Sequence, residues 1–140
     1  MDRPALLAVP TFCIAAVVVP LRSLPAFRVV RDALDVVTLS MASRLVWPTL
    51  AVVGFAAVGY AYGSTANDDP PSVLGVGAIA AFLGVLVGNA VLWSLPHTTL
   101  ITEAAYLEVF VVGAYSILDA LMFGLLVLGG YALSMGPRNR

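Results

Sequence analysis

The sequence predicts an all-α membrane protein: four membrane helices in a bundle, the first short and kinked, with an amphipathic helix lying in the interface after it. Three observations carry this. Hydrophobic residues make up 61% of the 140 and charged residues only 11%, against about 25% charged in an ordinary soluble domain. The charges also leave long gaps: none falls at 4–21, 45–67 or 70–102, and between 109 and 137 there is only Asp119. Each gap is long enough to hold a span, since about 20 apolar residues cross a hydrocarbon core of about 30 Å. So little polar sequence remains that residues 1–140 read as a single integral membrane domain.

The first helix is expected at about 5–20, short for a span, with Pro10 removing a backbone hydrogen bond inside it. Arg3 ahead of an apolar stretch resembles the start of a signal peptide, but Pro4, Pro10 and Pro20 punctuate the stretch and no A-x-A site follows Val19, so it reads as uncleaved. The next segment, about 26–44, sets Arg28, Arg31, Asp32, Asp35 and Thr38 on one stripe. Phe27, Val30, Leu34, Val37 and Met41 lie on the other, the pattern of a helix in the plane of the interface. Arg28 with Asp32 and Arg31 with Asp35 are i,i+4 pairs on its solvated side.

The second membrane helix is expected at about 45–62, with Trp47 at one end and Tyr60 and Tyr62 at the other, as aromatic belts require. GSTANDDPPS breaks the chain after it with a cluster of turn formers. A third helix covers about 72–95, with Trp93 at its exit and Pro96 ending it. The fourth covers about 103–134, with Thr102 as N-cap and Glu103 in its first turn. Arg22, Arg28, Arg31 and Arg44 precede the second helix, whereas the loop after it holds only Asp68 and Asp69. The positive-inside rule therefore leans towards a cytoplasmic first loop. With four spans the other side carries Arg3, Arg138 and Arg140. If the first helix does not cross, Arg3 changes sides and the termini no longer share one.

Several function classes drop out. Formal net charge is -1, with seven Arg and no Lys, so there is no basic surface for nucleic acid. Cys13 cannot form an intramolecular disulfide and reads as a buried thiol serving as a small hydrophobe. His97 is the sole histidine and has no Cys or His partner to complete a metal or haem site. No Ser or Thr has a base at motif spacing, and the glycines lie inside spans rather than in a phosphate loop. The chain is expected not to be an enzyme and to hold no metal or cofactor.

The intramembrane polar residues remain as candidates. Read at the centre of a span, Asp119 costs roughly 2.5 to 3.5 kcal/mol to insert, which its apolar neighbours offset. At 100° per residue, Glu108, Val112, Tyr115, Asp119, Met122, Phe123 and Leu126 share a face, with Ser116 at its edge. Asn89 in the third helix is the other strongly polar group well inside a span, and it is expected to pair with Tyr115, Glu108 or Asp119. Two ridges of small residues, Ala80, Gly84 and Gly88 in the third helix and Ser116, Ala120 and Gly124 in the fourth, allow close helix packing on each other or on partners.

These features point to a non-enzymatic membrane protein that works by packing and assembly: an accessory subunit, a scaffold or a structural component of a cell membrane or viral envelope. Its partners are the lipid bilayer and either further copies of itself or the other subunits of a complex. The competing expectation is a small oligomeric proton- or cation-coupled transporter or channel centred on Asp119.

Overall fold

A computed structural model of the chain describes residues 3–23, 32, 33, 35–94 and 105–136, with backbone alone at 3, 36, 42, 43 and 105–109. The described residues are helical, without a strand. α1 spans Arg3–Ser23; α2, Val36–Met41, runs through a π-helical segment, Ala42–Val46, into α3, Trp47–Thr65. α4 spans Pro70–Trp93 and α5 spans Ala105–Ser134. Four helices are long and apolar enough to cross a membrane, at Pro4–Ser23, Val37–Thr65, Pro70–Trp93 and Phe110–Ser134.

Two of the boundaries that differ from the sequence expectation lie at prolines. α1 does not stop before Pro20 but continues to Ser23. Pro20 has no N–H for the Ala16 carbonyl, and that carbonyl lies against α4, where a Cβ on Gly88 would stand 3.1 Å from it. At Pro10 the helix also continues; on the adjoining turn the buried Thr11 hydroxyl donates to the Leu7 carbonyl at 2.7 Å. The second difference is the absence of a break at residue 45. Pro48 has no N–H for the Arg44 carbonyl, and the chain meets this by widening into the π-helical turn rather than ending. The described end of the segment expected to lie in the interface therefore continues into α3; residues 24–31, with Arg28 and Arg31, lie outside the described residues.

The four long helices form a closed ring in which α1 packs on α4 and α3, and α5 packs on α3 and α4. α1 and α5 thus stand on one diagonal, α3 and α4 on the other. The core runs up the middle through Leu7, Val18, Phe55, Val85, Phe123 and Val127. Phe55 of α3 stacks on Phe123 of α5 with ring centroids 4.5 Å apart.

Glycine decides how closely the helices approach. Gly84 and Gly88 face α1, where added Cβ atoms would meet Ala15 at 2.7 Å and Val19 at 2.9 Å. The ridge expected to pack on α5 or on partners thus serves α1 at Gly84 and Gly88, and its member Ala80 is buried. On α5, Ala120 is buried and Gly124 meets Ala78 of α4. The closest seam joins α3 to α5 and was not among the expected ridges: a Cβ on Gly59 would strike the Val127 carbonyl, and one on Gly130 the Ala56 carbonyl. Close backbone approach is how helices gain packing energy where lipid offers no hydrophobic drive.

At the end of the bundle formed by Thr65 and Ser134, the four-residue connection 66–69 crosses the ring's diagonal. The hydroxyl of Tyr62 donates to the Asp68 carboxylate and that of Tyr131 to the Asp68 carbonyl. Tyr62 and Tyr131 are therefore buried anchors of this loop, whereas Tyr60 faces outward. Cys13 is exposed on the outside of the bundle, contrary to the expected burial, in an apolar groove with Phe12, Ile79 and Leu83. α1 turns Leu7, Thr11, Ala15 and Val18 inward, and Cys13 falls between those positions.

Candidate functional site

Asn89, Ser116 and Asp119 gather in one layer of the bundle, and the residue that organises it is Arg22. Because α1 continues past Pro20, Arg22 sits in its last turn. There it points across the ring's diagonal and donates from Nη1 to Asp119 Oδ2 of α5 at 2.8 Å. The guanidinium also lies 5.8 Å from the centroid of the Trp47 ring at the start of α3. One side chain thus ties α1 to both α3 and α5.

Asp119 is the more enclosed partner, 14% exposed against 41% for Arg22. The carboxylate is sunk between helices and the cation closes the open side. A single charge in an apolar bundle is costly, whereas a hydrogen-bonded pair of opposite sign leaves no net charge to solvate. The sequence places Asp119 without a charged partner at its depth; the structure supplies one.

The pair also corrects the height of Asp119. It lies midway along α5 in sequence, but it meets Arg22 in the last turn of α1, whose guanidinium also lies over Trp47 in the first turn of α3. α5 has 30 residues and α1 has 21, roughly 45 Å and 31 Å of helix. α5 is longer than its neighbour, so its midpoint falls near one end of the bundle and its N-terminal half runs past the end of α1.

Ser116, one turn before Asp119, is fully buried and receives a long contact from Asn89 of α4, Nδ2 to Oγ at 3.4 Å. The serine proton goes to the Val112 carbonyl at 2.7 Å, leaving the oxygen free to accept. Asn89 thus pairs with Ser116 rather than with the expected Tyr115 or Asp119. Tyr115 is 60% exposed on the outer side of α5, and Met122 also faces out. The expected polar face is therefore split, with the inward side centred on Ser116, Ala120 and Phe123. Glu108 belongs to α5 by its backbone, while its side chain, and His97, Thr102 and Glu103 altogether, lie outside the described residues.

Chemically, this layer can hold helices in register. Among the described residues no group of three His, Cys, Asp or Glu side chains comes together to hold a metal. Arg22 was missed because Pro20 read as the end of the first helix; the available signal was that Pro is tolerated in membrane helices and that Arg suits a last turn. The described residues define an all-helical fold with four helices long and apolar enough to cross a membrane, two of them joined by this ion pair. Compared with known proteins, the chain matches no family model, no curated protein and no solved structure.

Proposed function

We propose that this is a small multi-pass membrane protein that works by helix packing and assembly, as an accessory, scaffold or envelope component, and not by catalysis. The observation that carries the reading is that Asp119, the one carboxylate in the four described stretches of membrane-crossing length, is engaged by Arg22 at 2.8 Å in a contact between helices. A charge pair between diagonal helices fixes their relative height and rotation, which suits a rigid building block. Such contacts within membranes specify geometry more than they add stability.

Assembly needs a surface as well as a rigid body. Gly129 of α5 is exposed with nothing within 4 Å of an added Cβ, leaving a lipid-facing spot open to another helix, from a second copy or from a partner. In this reading all four helices cross the membrane. Arg22 and Arg44 mark the cytoplasmic end, and both termini lie on the other side.

The competing reading is a proton- or cation-coupled transporter centred on Asp119, favoured by the convergence of Asn89, Ser116, Arg22 and Asp119 on one layer. One experiment separates the two: the wild type, Asp119→Asn and the reversed pair Arg22→Asp/Asp119→Arg are reconstituted in liposomes under a pH or alkali-cation gradient. The packing reading expects no flux above empty liposomes from any of them and a native oligomer from the reversed pair. Gradient-driven flux in the wild type that Asp119→Asn abolishes would replace packing with transport.

A further inference from the structure

At the end of the bundle away from Arg22, between the C-terminal ends of α3 and α5, there is an open hollow of about 530 Å³ lined by residues 63–67 and 134–136. Gly63 forms its floor, where an added Cβ would collide with the Ser134 hydroxyl. The Ser134 and Tyr131 side chains of α5 therefore pack directly on the α3 backbone at Gly63.

What the hollow can bind follows from where its protons go. Ser64 donates to the Ala61 carbonyl at 2.7 Å, Thr65 to the Tyr62 carbonyl at 3.0 Å, and Ser134 to the Tyr131 carbonyl at 2.6 Å. A hydroxyl has a single proton, so each of the three is left with acceptor lone pairs only. The backbone N–H groups of Ala66, Met135 and Gly136 are likewise committed, to the Tyr62, Ala132 and Leu133 carbonyls. The carbonyls of Ala61, Tyr62, Tyr131, Ala132 and Leu133 accept these bonds, and both helix ends carry the negative ends of the helix dipoles. Acceptor oxygens thus outnumber donors in the hollow, where the Asn67 amide is the side chain that also brings N–H groups.

We propose that this hollow binds a primary ammonium group, carried by a small amine or by a lipid headgroup. An ammonium brings three donors and no acceptor, which suits the hydroxyls of Ser64, Thr65 and Ser134, whose own protons are spent. The hollow falls within the roughly 300–1,000 Å³ of small-molecule sites and is far larger than a bare alkali ion. No group of three His, Cys, Asp or Glu side chains stands among the described residues to favour a multivalent metal instead.

The test uses the full chain with labelled glycine in phosphatidylcholine nanodiscs, titrated with ethanolamine and followed by the amide shifts of Gly63 and Gly136. Saturable shifts are expected at both, with Gly84 unmoved. Ser64→Ala combined with Thr65→Val removes two acceptor oxygens at exposed positions of the helix end and should weaken binding about tenfold, the loss of a hydrogen bond to a charged group. Nanodiscs containing phosphatidylethanolamine separate the sources. If the headgroup is the ligand, the shifts are present before titration and added ethanolamine changes them little; if a free amine is the ligand, both lipids give the same isotherm. The proposal is overturned by an absence of saturable shifts in either lipid, by equal shifts with sodium chloride or sodium acetate, or by unchanged affinity in the double variant with native circular dichroism.

Discussion

Gly130 and Gly129 are neighbours in α5, and the structure assigns them opposite responses to the same substitution. A Cβ on Gly130 would stand 2.7 Å from the backbone carbon and 2.8 Å from the Cα of Ala56. Both are main-chain atoms of α3, which no rotamer change can move aside. The α3–α5 seam must open by roughly 1 Å to reach ordinary contact, and overpacking of this kind costs about 1–3 kcal/mol. Opening the seam would also separate the Phe55 and Phe123 rings, now stacked at 4.5 Å. Gly129 has nothing within 4 Å of its Cβ direction. Alanine there meets no obstacle and gains up to about 1 kcal/mol of helix propensity. The assay is unfolding by sodium dodecyl sulfate in mixed micelles, followed by circular dichroism. Gly130→Ala should unfold at clearly lower denaturant, and Gly129→Ala at the same or higher. A Gly130→Ala protein as stable as wild type, or a Gly129→Ala protein equally weakened, would refute the close-seam argument.

Other expectations follow from the same contacts. Removing either member of the Arg22–Asp119 pair leaves an unpaired charge; because Arg22 is 41% exposed, the cost should fall below the 3–5 kcal/mol of fully buried pairs, at about 1–3 kcal/mol. A double-mutant cycle with Arg22→Leu and Asp119→Leu should then show clear coupling in the same unfolding assay. Tyr131→Phe and Tyr62→Phe remove hydrogen bonds to Asp68, each worth about 1 kcal/mol, and should speed amide exchange at 66–69 while leaving Asn89 unchanged. Phe55→Ala leaves a hole of roughly 100 Å³; with lipid replacing water as the reference, the cavity contribution dominates and gives about 2 kcal/mol, measured as a shift in the unfolding midpoint.

The candidate site was only partly legible in the sequence. Asp119, Asn89 and Ser116 stood out because polar groups are rare in such long apolar runs, and all three lie in the same layer. Arg22 did not stand out, because a charge beside a proline at the edge of an apolar segment looks like a loop. Its role depends on three extra residues of helix and on α5 being much longer than α1. Tyr115 looked equivalent to Ser116 on a helical wheel, but the inward direction of α5 is set by its neighbours and lies towards Ser116, Ala120 and Phe123.

Composition and the spacing of charges were enough to establish an all-helical chain with four apolar helices of membrane-crossing length, because each membrane helix satisfies its own backbone and its apolar length is local information. Tertiary structure alone decided which helices touch. Small-residue ridges show that a face can be approached closely, but they do not name the partner: Gly84 and Gly88 went to α1, and the tightest seam fell to Gly59 and Gly130. It also decided that Arg22 and Asp119, far apart in sequence, become one neutral pair. That outcome depends on the relative heights and rotations of four rods, quantities set by packing between helices and contained in no single segment of the chain.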